Sequence, residues 1–538
     1  MFAPTPMFLR RPDAPQRGPR LSRQARIQST VLKRMEPLYR YPKVRRFVSR
    51  LVIDKYGKAT SPRPRPLSMA GDYTTWRSLT DRTFSGRHLP PPTGESPRRP
   101  PEAEVAALFR REQMLPADDT SVAFGFFAQW FTDSFLRTSK DSRKTSSNHE
   151  IDLCQIYGLT EEKTAMLRGE NGRLASQLIG GEEYPLYLHR ENAAGDLEVD
   201  PRFANLHPAD TMAAILGRVP NERRRQMFAV GLEYGNSTIG HVMLNTMFLR
   251  EHNRVAAILE AKHPKWGSDA LFETTRNVLI VELLKIVIED YIKHIGPKYL
   301  PLELVPFVAE KRNWNRPNWI AVEFNLLYRW HSLVPDTIGD GDDALEHEDF
   351  LDNNQLVIDS GIEALMAQCS RTRAGRIGLQ NTPTFLVDRD GPADPIPSVM
   401  ERTVSLMRKA KLASYNDYRV QFGLERLTSY DQLTSDDKLI ARLESLYGGI
   451  ENLEWYVGLF AEDPPPGMDL MMGELLGTMV GYDAFTQALT NPLLARNVYN
   501  EATFSKTGMQ IIAETRSLEQ IFVRNSTRPQ DVVVDFSC

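Results

Sequence analysis

Cysteine is scarce: Cys154, Cys369 and Cys538 are the only three in 538 residues, and no CxxC pair occurs. That excludes a disulfide scaffold and a thiolate zinc cluster, and makes a reducing compartment the default. Long apolar runs are missing too. The nearest approach, Asn277–Ile292, is interrupted by Glu282, Lys285, Glu289 and Asp290, so it reads as a buried core helix instead of a membrane span. No secretory signal is legible, because Pro4, Pro6 and Pro12 break the apolar start. The patterns GxxxxGK[ST], GxSxG, HExxH and Rossmann-type GxGxxG are all absent, which removes the usual support for nucleotide-dependent and hydrolase mechanisms. With 41% hydrophobic and 25% charged residues, disorder, collagen and coiled coil are ruled out as the dominant state.

What is present is unevenly distributed. The net charge of −3 hides 13 Lys/Arg against two acids, Asp13 and Glu36, within residues 1–50. This is a basic arm on an acidic body, and it admits a nucleic-acid contact, a transit peptide or a membrane contact. Inside the arm, Val44, Phe47, Val48, Leu51 and Val52 recur at helical spacing while Arg45, Arg46 and Arg50 take the other face. The pattern predicts a basic amphipathic helix over Val44–Lys58, lying either in a bilayer interface or packed on the body as a surface helix.

Pro and Arg dominate Thr60–Pro66 and His88–Pro101, where helix is blocked and extended chain favoured. The chain therefore divides into an arm (1–58), a linker wrapping the body (59–101) and one large, mainly α domain (102–538). Helical patterns run through Phe127–Leu136, Thr211–Leu216, Ile239–His263, Ser268–Ile295, Trp319–Leu333, Asn353–Met366, Ser398–Leu412, Ser435–Leu446, Ile450–Phe460, Met468–Leu489 and Thr503–Val523. Ser268 and Thr434 are candidate caps, Gly448–Gly449 punctuates two helices, and strand signals are few and short. The acidic loop Asp336–Asp352 lacks EF-hand spacing and reads as a solvated loop, with weak calcium binding as the alternative.

Among ten histidines, His331 stands apart in the apolar run Trp319–Asp336. Tyr328 precedes it by three residues, a spacing at which helical side chains are neighbours. A neutral imidazole in such a place suits a haem iron, and an adjacent tyrosine suits a redox partner. By spacing alone, a hydrogen-bonded core histidine beside a core tyrosine is the commoner outcome.

Resemblance goes further. Glu323–His331 (EFNLLYRWH), continuing to Pro335–Asp336, resembles the proximal-helix motif of the cyclooxygenase-like branch of the animal haem peroxidase superfamily. Phe124–Thr138 is similar to its distal-helix motif and Phe248–Val255 (FLREHNRV) to its LREHNR helix. Lys262–Trp266, Thr274–Ile295, Ala374–Gly378, Asn416–Gly423, Leu446–Glu454 and Asn491–Pro492 follow in cyclooxygenase order, so the match covers about residues 35–510. The string EFNLLYRWH also resembles fungal linoleate dioxygenases, and YRWHSLVPD plant fatty-acid α-dioxygenases.

The resemblance implies a helical haem peroxidase/cyclooxygenase-like fold, haem b, O2 as co-substrate and an unsaturated fatty acid as substrate. It places His331 as proximal haem ligand and Tyr328 as the tyrosine that becomes a radical and takes hydrogen from the lipid. Gln129 falls on the distal glutamine, and Tyr291 on a tyrosine hydrogen-bonded to the radical one. The family's distal histidine is replaced by Asp133, which puts peroxidase turnover in doubt. The serine acetylated by aspirin in mammalian cyclooxygenases falls near Ala484, and the mammalian EGF-like module is missing. The arginine that pairs with the fatty-acid carboxylate falls near Tyr56, flanked by Lys55 and Lys58 as substitute cations. The implied activity is mono-dioxygenation to a lipid hydroperoxide. The alternatives are a peroxidase or peroxygenase using Asp133, and a non-catalytic haem- or lipid-binding protein. A lipid-oxidising body makes the membrane surface the favoured partner of the arm, over nucleic acid. The expected location is cytoplasmic or peripheral to a membrane, not secreted, with a transit peptide left open and a homodimer possible.

Overall fold

The longest helix, Ile239–Lys262, begins where the Thr238 hydroxyl accepts the His241 N–H at 3.2 Å, satisfying one of the orphan donors of the first turn. Nearly every residue of its first four turns is buried, so it is a central rod. Ser268–Ile286 and Glu501–Glu514 pack beside it, and Val122–Thr132 and Leu518–Asn525 flank it. The computed structural model describes residues 23–59, 75–93, 99–312, 314–315, 317–389, 396–467 and 470–538. Among these, strands form only three two-stranded antiparallel ribbons: Pro116–Ser121 with Arg373–Gly375, Ser176–Ile179 with Glu182–Pro185, and His189–Glu191 with Leu197–Val199. Gly180 and Gly181, both at positive φ, supply the tight turn of the second ribbon. The chain is mainly helical, as its periodicity predicts.

Several boundaries differ from expectation for identifiable reasons. Gly361, at φ 83°, splits Asn353–Met366 into Asn354–Ser360 and Ile362–Arg371. Ser268 is not a cap but the first helical residue, and its hydroxyl accepts the Gly172 N–H. Asp436, not Thr434, caps Asp437–Tyr447. Thr503–Val523 is two helices, Glu501–Glu514 and Leu518–Asn525, the second opened by a Ser517 capping box. The Ser268–Ile295 run is continuous but passes through one π turn, Val287–Tyr291.

The expected amphipathic helix is real, Pro42–Ala59, but its stripe divides. Val48, Val52 and Ile53 are buried against the body, whereas Phe47 and Leu51 point outward, 60% and 53% exposed. Arg45 and Arg46 do not idle in solvent; both reach Glu303. The preceding helix, Arg23–Met35, also exposes Ile27 and Val31. Residues 1–22 and the Thr60–Pro66 stretch lie outside the described residues. The start of the second Pro/Arg stretch is no loose linker, since the His88 N–H donates to the Glu323 carboxylate at 2.8 Å and the His88 ring bonds Asp483 at 3.1 Å. No described helix is long and apolar enough to cross a membrane.

Candidate active site

The run around His331 is not one helix. An α-helix spans Val322–Leu327, anchored at its start by Glu323, whose buried carboxylate accepts the Tyr418 hydroxyl at 2.6 Å. Tyr328 closes that helix at φ −92°, ψ 10°, and His331–Leu333 forms a separate 3-10 turn. The break has a structural cause: the Arg329 N–H bonds the Leu326 carbonyl, a tightened turn, while the Arg329 carbonyl accepts the Tyr456 hydroxyl at 3.0 Å. Tyr328 and His331 are therefore brought together by a turn and not by helical i, i+3 spacing. Both nevertheless open on one cavity of about 460 Å3.

The opposite contribution to that cavity comes from Val122–Thr132, whose N-terminus is capped by Ser121. Gln129 and Asp133, one turn apart at its C-terminal end, both line the space. Its walls are otherwise largely apolar, with Val122, Phe126, Leu136, Leu333, Val334 and Phe350 among them. The size falls in the range of small-molecule and cofactor sites.

The His331 ring points its Nδ1 at the Met400 Sδ, 3.1 Å away, and Nε2 has no partner among the described residues. A thioether sulfur accepts only, so Nδ1 carries the proton and Nε2 keeps a free lone pair. Burial, with Arg329 adding repulsion, pushes the imidazole pKa down to about 3, so the ring is neutral. A single neutral imidazole on a cofactor-sized apolar cavity is the donor set that haem iron needs, whereas a zinc or calcium site needs several ligands. Among the described residues no group of three or more His, Cys, Asp or Glu is placed to hold a metal ion, the acidic loop Asp336–Asp352 included.

Tyr328 sits with Phe324 at 5.4 Å and Trp330 at 4.8 Å between ring centroids. Its buried hydroxyl has no partner of good hydrogen-bond geometry, and neither has that of Tyr291. The two phenols lie close enough to influence each other's ionisation, and burial raises both above the ordinary tyrosine range. Tyr291 ends the π turn Val287–Tyr291 and stacks on Phe124, 5.0 Å away, from the Val122–Thr132 helix. Single π turns inside α-helices recur at functional sites, because the extra residue re-aims the side chains around it.

The other expected substrate residues lie elsewhere. Ala484 is buried on Glu474–Leu489 and does not line this cavity. Lys55 is exposed and donates to Gln28 at 2.6 Å, and the Lys58 side chain is outside the described residues. Two further cavity residues are not among the expected site residues. Arg329 lines the cavity and donates to Thr403 at 2.8 Å, and Thr238 lines it beside the buried His241.

Comparison with known proteins finds matches over most of the chain. The animal haem peroxidase family model matches residues 133–536. Prostaglandin G/H synthase 1 of Rattus norvegicus is 32% identical over 499 residues, 90% of this chain and 77% of that protein. Prostaglandin G/H synthase 2 of Bos taurus is 31% identical over 470 residues, covering 84% and 72%. Among solved structures, fatty acid alpha-dioxygenase of Arabidopsis thaliana superposes with a TM-score of 0.66 at 18% identity, covering 89% of this chain and 84% of that one. Peroxidase A of Dictyostelium discoideum matches with the same TM-score at 17% identity, covering 87% and 98%. At such identities the two structural matches speak for the fold.

Proposed function

We propose, from the premise that this chain belongs to the animal haem peroxidase family, that it is a haem-dependent dioxygenase adding O2 to an unsaturated fatty acid through a Tyr328 radical. The observation that carries this is the shared cavity, on which a neutral imidazole with a free Nε2 and the Tyr328 phenol both open. His331 would hold haem b through Nε2, with Gln129 and Asp133 as the polar groups of the same space. Bound there, haem supplies the peroxide-dependent one-electron oxidation that no side chain performs unaided.

Burial keeps the Tyr328 phenol protonated, so its oxidation removes a proton together with the electron. Tyr291 faces that hydroxyl and is placed to share the proton. The neutral Tyr328 phenoxyl then takes a hydrogen atom from a lipid carbon, O2 adds to the carbon radical, and the peroxyl oxygen takes the hydrogen atom back from Tyr328. The net change is RH + O2 → ROOH, with the tyrosine restored. The protein's part is to fix which carbon meets the phenol oxygen. The exposed Phe47 and Leu51, beside Arg46 and Arg50, seat the arm on an anionic membrane surface from which the fatty acid arrives.

A second reading, a peroxidase or peroxygenase, is favoured by one observation: Asp133 opens on the cavity and could shuttle a peroxide proton. Incubating haem-loaded protein with a mixture of C16–C20 fatty acids under O2, with oxygen uptake and mass spectrometry of products, separates the two. Hydroperoxides formed with uptake are expected. Peroxide consumption without uptake would replace the dioxygenase by the second reading.

A further inference from the structure

We propose that His241 is the positioning partner of Asp133, so that the acid–base group of this cavity is an Asp133–His241 pair and not a lone carboxylate. The proposal rests on the cavity being the haem and peroxide site, and adds a residue that no sequence motif marks.

The hydrogen bonds run in one consistent direction. Thr238 Oγ1 already accepts the His241 backbone N–H as the helix cap, at 3.2 Å, which leaves its hydroxyl proton free to donate to His241 Nδ1, 2.9 Å away. Nδ1 then accepts, and the ring proton sits on Nε2. Nε2–H points at Asp133 Oδ2, 3.0 Å away, which as a carboxylate oxygen can only accept. The imidazole is buried, its side chain 4% exposed, whereas the Asp133 side chain is 39% exposed and lines the cavity. Oδ1 of Asp133 has no partner among the described residues.

Asp133 needs this support. It stands at the C-cap of Val122–Thr132, where the helix dipole presents its negative end and disfavours an anion. The other charged groups around it are committed elsewhere or stand off. Arg137, one turn on, gives its charge to Glu233, and Asp352, on the segment bridged to Thr238, faces Arg218. Arg329 and His331 line the same cavity, with their own partners in Thr403 and Met400. His241 alone donates to the carboxylate among the described side chains. Held by one oxygen on a side chain that lines the cavity, Asp133 keeps the other to accept the O–H proton of an incoming hydroperoxide ROOH. The products of that step are the anion ROO− and the protonated carboxyl, and no electron moves.

Cyanide tests the pair without turnover, because HCN must give its proton to a nearby base as the anion is taken up by haem. In haem-loaded protein, His241→Leu is expected to weaken cyanide binding about 10–100-fold, the usual cost of losing a partner that orients a group at a metal site. Asp133→Asn is expected to weaken it at least as much, and the double variant no more than Asp133→Asn alone. His241→Gln, which keeps an N–H donor, should recover most of the loss. Unchanged affinity in His241→Leu with a loss in Asp133→Asn would overturn the proposal, as would losses that multiply in the double variant. Independently, 15N NMR of histidine-labelled haem-free protein should show His241 in the Nε2–H tautomer, and an Nδ1–H tautomer would overturn it. A wild type that develops no Soret band would sink the haem-site reading itself, a result the haem-free tautomer measurement does not share.

Discussion

Replacing Tyr328 by phenylalanine separates chemistry from structure. The hydroxyl is buried and faces the Tyr291 phenol without a hydrogen bond of good geometry, so its native contribution to stability is mostly a desolvation penalty. An unsatisfied buried hydroxyl costs about 1–3 kcal/mol, and its removal should therefore leave stability unchanged or raise it by up to that amount. With an unfolding entropy of about 2.1 cal/mol/K per residue over a chain of this length, 1 kcal/mol moves Tm by about 1 °C. The expected Tm shift is thus about 0 to +3 °C. Oxygen uptake with linoleate or arachidonate should fall to background, because no other described side chain pairs a phenol hydroxyl with this cavity. The Soret band should persist, since His331 and its Met400 contact are untouched. The assay is a Clark electrode trace beside a thermal melt on the same haem-loaded preparation. Uptake at the wild-type rate with an intact Soret band would refute the radical role. A Tm drop of several degrees would instead show that the hydroxyl makes a bond worth keeping.

Three further outcomes follow from the same geometry. His331 has its pKa lowered to about 3, so protons compete for Nε2 only below about pH 4. The Soret band of haem-loaded protein should hold its position from pH 8 to pH 5, whereas loss centred near 6.5 would contradict the buried, neutral ring. The same shift means that the unfolded chain takes up this proton first, so its effect on stability is unfavourable as pH falls below 6.5. Gly375 backs the His331 turn, and a Cβ there would drive into the Ser332 carbonyl oxygen. Gly375→Ala should cost about 1–3 kcal/mol of stability and weaken haem binding in a titration, and wild-type haem affinity would show that the turn yields freely. Phe47→Asp with Leu51→Asp removes two outward apolar side chains, each about half exposed, worth together about 2 kcal/mol at an interface. Flotation with anionic vesicles should drop by roughly 30-fold with an unchanged Soret band, and unaltered flotation would leave the arm without a membrane role.

How much of the fold was legible depended on whether tertiary contacts agreed with local pattern. Ile239–Lys262 and the Ser268–Ile295 run were readable because their long apolar content and clean starts leave no competing structure. Where a single residue decides, periodicity was blind. Gly361 at positive φ cuts one predicted helix in two, and Asp436 outcompetes Thr434 as a cap because its carboxylate reaches two N–H groups, of Lys438 and Leu439. The apolar stripe of Pro42–Ala59 is too wide for one face. Half of it meets the body and half faces away, a division set by where the body is and not by the helix.

The site shows the same limit more sharply. Gln129, Asp133, Tyr328 and His331 were found because each lies in a short string with a recognisable neighbour, and all four line one cavity. Tyr328 and His331 share no helical face, since the helix ends at Leu327 and a turn brings them together. His241 lies 108 positions from Asp133, and nothing in its own helix distinguishes it from a packed core histidine. What makes it notable is a pair of distances, to Thr238 on one side and Asp133 on the other, that fix the tautomer from both ends. An acid placed at the negative end of a helix is a local conflict, and such conflicts are resolved by a partner distant in sequence. The C-cap position of Asp133 is therefore the place where a second titratable residue is expected. The structure puts the His241 imidazole there, hydrogen-bonded to the Asp133 carboxylate that lines the cavity.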